Sequence, residues 1–229
     1  DGGPVADRLA EILTDDGFEV ERPVADWPEA PAVAVRLPSG QPGRVLQFDG
    51  HLDTVHLPFV PARVADGVLY GSGSSDMKGG IAACVEAMRA LRDSGGLTSG
   101  SILLTAHDHH EAPWGDRRQV LALIREGYLG DAVMLPEYLA SQVPLAGRGM
   151  GIFEVTIQRP GDPVHEVLRP ADQPNVVHAG AQLVGRLQAL DAELSATSHP
   201  LAGRDTVFVG QIAAGEIYNQ SPTECRMHG

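Results

Sequence analysis

Long apolar runs are missing: nothing in the 229 residues approaches the ~20 consecutive apolar positions that a membrane-spanning helix needs. No membrane partner is expected on that ground. Cysteine is nearly absent, with Cys84 and Cys225 alone, which excludes a disulfide framework. Cys84 lies inside IAACVEAMRAL, where a free thiol behaves as a small buried apolar group. Positive charge is also short, 17 Lys and Arg against 30 Asp and Glu, for a formal charge of -13. Nucleic acid needs clustered cations and is excluded as a partner. The acidic excess favours solubility and suits a protein that holds cations. The opening residues DGGPVADRLAE contain no signal peptide, so the cytoplasm is the expected compartment. They also lack an initiator Met, which leaves room for residues upstream. What remains is an ordinary globular balance, 43% hydrophobic and 21% charged, in a chain long enough to bury a real core.

The hydrophobic pattern organises that chain into alternating elements. ADRLAEILTDDGF reads as an amphipathic helix with Leu9, Ile12 and Leu13 on one face and Gly17 as its stop. AVAVRL and RVLQFDGHLDTV read as strands, and RVADGVLYG as a strand pair around Asp66-Gly67. A helix over IAACVEAMRALRDSGG, a buried strand SILLTA, a helix RRQVLALIREG and a strand DAVML follow. From Gly149 the texture changes to strand (GIFEVTIQR), helix (NVVHAGAQLVGRLQAL) and strand (TVFVGQIAAG), with LASQVPLAGRG as the linker. The expected fold class is α/β: a mostly parallel sheet flanked by helices over residues 1–148, then a smaller α+β unit over 149–229.

Four clusters of imidazole or carboxylate follow successive strands of the expected sheet. In HLDTV, His51 and Asp53 are two apart at a strand end and project to the same side. An imidazole binds Zn²⁺ well when a carboxylate orients it, although an HxD pair alone is as compatible with a simple turn. In GSGSSDMKGG, glycines flank Asp76 and a helix begins directly after it, which lets backbone approach a ligand closely. The P-loop pattern is absent there, and Asp76 would repel phosphate. HDHHEAPWGD packs three histidines, two aspartates and a glutamate after SILLTA. Glu137 follows DAVML and taken singly would be a solvated turn residue. Strand ends collect ligands in open α/β sheets, so all four could converge. The donors are nitrogen and oxygen without thiolate, the set of an open catalytic zinc site.

These motifs resemble the M20 family of metallopeptidases and amidohydrolases, which includes aminoacylases, carboxypeptidases and deacylases. HLDTV matches its H-x-D motif, GSGSSDMKGG its G-x-G-x-x-D-x-K-G motif, and Pro136-Glu137 its carboxylate ligand after a strand. PVHE at 163–166, NVVHAGAQLV at 175–184 and GEIYNQSPTEC at 215–225 resemble landmarks of the family's smaller lid domain. The resemblance implies two zinc ions per chain, with Co²⁺ or Mn²⁺ as substitutes. Asp76 would bridge them, His51 and Glu137 would complete the first site, and Asp53 would hold the His51 imidazole. The ions would polarise the scissile carbonyl and acidify a bridging water, whose proton a general base takes. His165 would reach the substrate carbonyl, Asn219 would lie near the site, and the lid would make a homodimer. The implied activity is hydrolysis of an amide bond in a small peptide or N-acyl amino acid.

The sequence departs from the family in one telling place. M20 enzymes supply the base and the next ligand as adjacent glutamates, and LLTAHDHHEAPWG has no such pair. One alignment makes Glu111 the second-ion ligand and His110 the base, keeping the family's carboxylate and the glycine-containing stretch after it. A second gives Asp108 as base and His109 as ligand. A third makes Glu111 the base, with His110 or His109 as ligand. His107 is expected to be structural, Trp114 to pack, and His178 to be a core or surface residue. The family's late histidine ligand has no counterpart before the end of the chain, since His228 falls too early, so a longer protein is expected. The competing class is a non-catalytic M20-like binding protein with a degenerate base position.

Overall fold

The computed structural model describes residues 2–54, 58–111, 115–137 and 145–229. The chain divides into two compact units, Asp1–Ser141 and Gln142–Gly229. In the first, α1 (Gly3–Asp15) leads to β1 (Val20–Glu21), β2 (Val33–Pro38) and β3 (Val45–His51). A hairpin of β4 (Arg63–Ala65) and β5 (Val68–Tyr70) turns at Asp66 and Gly67, both with positive φ, as a tight two-residue turn requires. An irregular turn over Ser74–Lys78 runs into α2 (Gly79–Ser94), which ends at Gly95 in the left-handed conformation. Then come β6 (Ser101–His107), α3 (Arg118–Arg125) and β7 (Ala132–Met134). Trp114 and most of the expected linker lie outside the described residues.

The five strands β1, β2, β3, β6 and β7 form one sheet in the order β1-β2-β6-β3-β7. β3 pairs in parallel with both β6 and β7, whereas β2 runs antiparallel to β6 and to β1. The sheet is therefore mostly parallel, with β2 reversed. β1 and β2 are joined without a crossover helix, which fits their antiparallel pairing, since parallel neighbours need one. Helices cover the sheet. Ala6, Ala10 and Leu13 of α1 pack with Ile81, Val85 and Met88 of α2 on Val33, Val35, Phe48 and Leu104. A smaller cluster joins Ala122 and Leu123 of α3 to Ala25 and Ala32. Burying each large apolar side chain here contributes ~1.5–3 kcal/mol to stability.

The second unit holds β8 (Glu154–Gln158), β9 (Val164–His165), α4 (Val176–Leu194), β10 (Gln211–Ala214), β11 (Gln220–Ser221) and β12 (Glu224–His228). β12 lies between β10 and β8 in an antiparallel sheet, and β9 pairs with β11. Helix α4 starts at Asn175, whose side chain accepts from the amides of Val177 and His178. His178 is thus an exposed first-turn residue rather than a core one. The helix comes close to β12 at Gly180, where an added Cβ would sit 2.6 Å from Cys225 Sγ. Among the described residues, no helix is long and apolar enough to cross a membrane.

Candidate metal centre

Strand alternation explains how the site begins. Gln47, Asp49 and His51 share one face of β3, with Thr105 and His107 beside them on β6. Gln47 donates to Thr105 (2.8 Å), Thr105 donates to Asp49 (2.5 Å), and Asp49 lies 3.5 Å from His107 Nε2. All are buried, so His107 belongs to a polar ladder inside the sheet. His51 closes β3 with only 1% of its side chain exposed. Its Nε2 lies 3.0 Å from Asp76 Oδ1. Its Nδ1 faces the Asp53 carbonyl at 3.1 Å and Asp53 Oδ1 at 3.4 Å.

Asp53 does more than face the imidazole. Its Oδ2 accepts from the amides of His110 (3.0 Å) and Glu111 (2.8 Å), so it also fixes the backbone of the histidine-rich segment. His109, with φ of 60°, turns that segment. His109 packs edge-on against Trp27 at 4.2 Å, while His110 stacks on His51 with ring centroids 4.3 Å apart. Asp108 points elsewhere: it accepts from the amide of Gly2 at the start of α1. Neither residue of the Asp108–His109 alignment belongs to a group of converging donors among the described residues.

Two groups of donors do converge. His51, Asp76 and Glu111 form one, and His51, His110 and Glu137 the other, with ligand atoms within 4.8 Å of each other in each group. His51 is common to both. Glu137 thus meets His110 and His51, whereas the resemblance paired it with Asp76 and His51. Lys78 is a residue the sequence reading passed over, although the motif spacing displayed it. Its Nζ donates to Leu52 O (3.1 Å) and Thr54 Oγ1 (2.5 Å), tying the Asp76 loop to the end of β3. Gly73 admits that lysine, because a Cβ there would lie 2.3 Å from Nζ.

The electrostatics are those of crowded acids. Burial raises the Glu111 carboxyl above its usual range, and the charge of Asp76 adds to this, followed by Asp53 and Glu137. Burial would also raise Asp53, but the His51 hydrogen bond and the Glu111 amide outweigh it and hold the carboxyl at about 2. Burial would lower His51, yet Asp53 and Asp76 raise it. Burial lowers His110 and the neighbouring His51 lowers it further, against the opposing charges of Glu137 and Asp53. Burial likewise lowers Lys78, whose cation stands among Asp53, Asp76 and Glu111. Carboxylates pressed together beside imidazole nitrogens suit a divalent ion. The nitrogen and oxygen donors and the lack of thiolate fit zinc and similar metals.

The second unit contributes a separate pair. β9 and β11 align His165 opposite Gln220, and Asn219 Nδ2 lies 3.0 Å from His165 Nε2. Arg159 is buried and donates to the carbonyls of Pro160, Asp162, Ser221 and Pro222. It fastens together the two segments that carry His165 and Asn219.

The profile of "Peptidase family M20/M25/M40" matches residues 48–227. The chain belongs to the M20 peptidase family. A succinyl-diaminopimelate desuccinylase from Methylobacterium radiotolerans is 40% identical over 170 residues, covering 66% of this chain and 43% of that protein. One from Gluconobacter oxydans is 34% identical over 212 residues, covering 86% and 52% respectively. This M20 chain therefore spans about half the length of the curated relatives it matches. Among solved structures, a dipeptidase from Saccharomyces cerevisiae shares the fold with a TM-score of 0.72 at 14% identity, over 99% of this chain and 63% of that one. A dinuclear metal-binding M20 peptidase from Bacillus subtilis aligns with a TM-score of 0.58 at 15% identity, over 100% and 58%.

Proposed function

We propose that the protein containing this M20 chain is a metal-dependent hydrolase that cleaves an amide bond in an N-acyl amino acid or small peptide. The two groups of converging donors, His51–Asp76–Glu111 and His51–His110–Glu137, carry this reading. Relatives named as desuccinylases favour an acyl-amino-acid substrate over a long peptide. Two divalent ions, zinc in the first place, are assigned to the site: His51, Asp76 and Glu137 for one, Asp76 and Glu111 for the other. Bound there, they would supply Lewis-acid polarisation of the carbonyl and acidification of water. Asp53 orients His51 and holds the His110–Glu111 backbone. His110 accepts the proton from the attacking water and returns it to the leaving nitrogen, a role supported by its place against His51 at the site. His165 and Asn219 are assigned to the substrate carbonyl. A homodimer through the second unit is supported by β10, an exposed edge strand carrying Ile212.

The second group of donors favours a variant of the same chemistry. There His110 joins His51 and Glu137 as a ligand, and Glu111, its carboxyl raised by burial and Asp76, takes the proton. The non-catalytic alternative rests only on the absence of the paired glutamates. Hydrolysis of a panel of N-acyl amino acids, including N-succinyl compounds, by the full-length protein decides the activity. We expect turnover that chelator abolishes and Zn²⁺ or Co²⁺ restores. Chelator-insensitive turnover, or none on the whole panel, refutes the reading. Replacing His110 with Ala separates the variants: lost turnover with full metal content identifies the base, and lost metal identifies a ligand.

A further inference from the structure

The His110–Glu111 segment is held from two sides, and only one was legible as part of the M20 motifs. Asp53 holds it from β3. On the other side stands Asp108, 8% exposed and turned away from the converging donors. Its Oδ2 accepts from the Gly2 amide at 2.9 Å, and its Oδ1 accepts from the His109 amide at 2.9 Å. Its own amide donates to Gln119 Oε1, and Gln119, wholly buried, donates onward to the Ala30 carbonyl. Gly2 is the N-cap of α1, where the helix dipole favours a carboxylate. The fit is tight: a Cβ on Gly2 would lie 2.8 Å from Asp108 Cγ and 2.9 Å from Oδ2.

We propose that Asp108 is a positioning residue, tying the N-terminus of α1 to the histidine-rich segment and so setting where His110 and Glu111 point. Asp108 is one residue before the left-handed His109, so a shift at its carboxylate is passed directly into the turn that aims the next two side chains. α1 is itself anchored in the core through Leu13, wholly buried, which makes it a rigid support. The proposal rests on the metal reading of His110 and Glu111 and adds a residue that touches neither metal nor substrate.

Two perturbations test it from opposite sides. Asp108→Ala removes the tie, and Gly2→Ala pushes on it without altering the segment. Asp108→Asn keeps an acceptor oxygen without the charge and serves as the conservative rescue. Co²⁺ titration of the metal-free full-length protein, followed by visible absorption, reads the affinity and geometry of the site without turnover. Thermal denaturation is run alongside. We expect Asp108→Ala and Gly2→Ala to weaken Co²⁺ binding by about 10–100-fold, as loss of ligand-orienting partners does, with an altered spectrum and partial rescue in Asp108→Asn. Lowered melting temperatures with unchanged Co²⁺ affinity and spectrum in either folded variant overturn the positioning role. If Asp108→Ala does not fold, Gly2→Ala and Asp108→Asn give the same decision. A wild type that binds no Co²⁺ overturns the metal reading itself, and this role with it.

Discussion

Gly80→Ala tests the architecture of the site without touching a proposed ligand. Gly80 stands in the first turn of α2, two residues after Lys78, against the loop that carries Glu137. A Cβ there would lie 2.0 Å from the Pro136 carbonyl oxygen and 2.9 Å from Pro136 Cβ. Ordinary contact begins at 3.4 Å, so the helix end and the loop must separate by the difference, 1.4 Å. Helix propensity alone would make Ala stabilising by about 0.8–1 kcal/mol. Overpacking costs about 1–3 kcal/mol, so the net expectation is a loss of about 1 kcal/mol, or roughly 2–4 °C in melting temperature for a chain of this size. The same displacement carries Glu137 away from His51 and His110, and metal affinity should fall about 10–100-fold. Thermal denaturation of the metal-free protein and a metal titration read the two effects separately. A variant that melts higher and binds metal normally refutes the reasoning, because Pro136 would then not be pressed against the helix.

Other perturbations address separate parts of the structure. Gly180→Ala should destabilise by about 1–3 kcal/mol in urea despite better helix propensity, because its methyl group meets Cys225; adding Cys225→Ala should recover most of the loss. Met88→Ala, in the wholly buried core between α2 and the sheet, should cost about 2–5 kcal/mol by the same measurement. Tyr128 donates to Glu21 at 2.7 Å, and burial with that partner pushes its phenol up to about 12. A raised folded value means the stabilisation is complete below the ordinary value of 10.0 and disappears as pH rises through 12. The urea midpoints of wild type and Tyr128→Phe should therefore differ at pH 9 and converge above pH 12. Saturating divalent ion should raise the unfolding free energy by about 2.7 kcal/mol at a hundred times its dissociation constant, and chelator should remove that gain.

The elements most legible in the sequence were those with a strong period or a fixed turn. Leu9, Ile12 and Leu13 announced α1, Asp66-Gly67 announced the hairpin, and the alternation of GIFEVTIQR announced β8. β12 was not seen, because ECRMH is flanked by loop-like residues and gains its strand character from pairing with both β8 and β10. The reversed direction of β2 was equally invisible, since apolar runs in parallel and antiparallel strands look alike when both faces are covered. At the site, the residue types and their strand-end positions could be read from HLDTV, GSGSSDMKGG, HDHHE and LPE. The partners could not: Asp53 on the amides of His110 and Glu111, and Asp108 on Gly2, join residues 57, 58 and 106 positions apart.

The sequence by itself determined the family, the donor types and the strand ends that bear them, because periodicity and short motifs are local properties of the chain. Tertiary structure decided the division of labour within HDHHE. Which of its side chains face His51, which meets Trp27 and which ties down α1 depends on a left-handed turn at His109 and on groups far away in the chain. Adjacent residues in such a turn point in different directions, and only the packed surroundings choose among them.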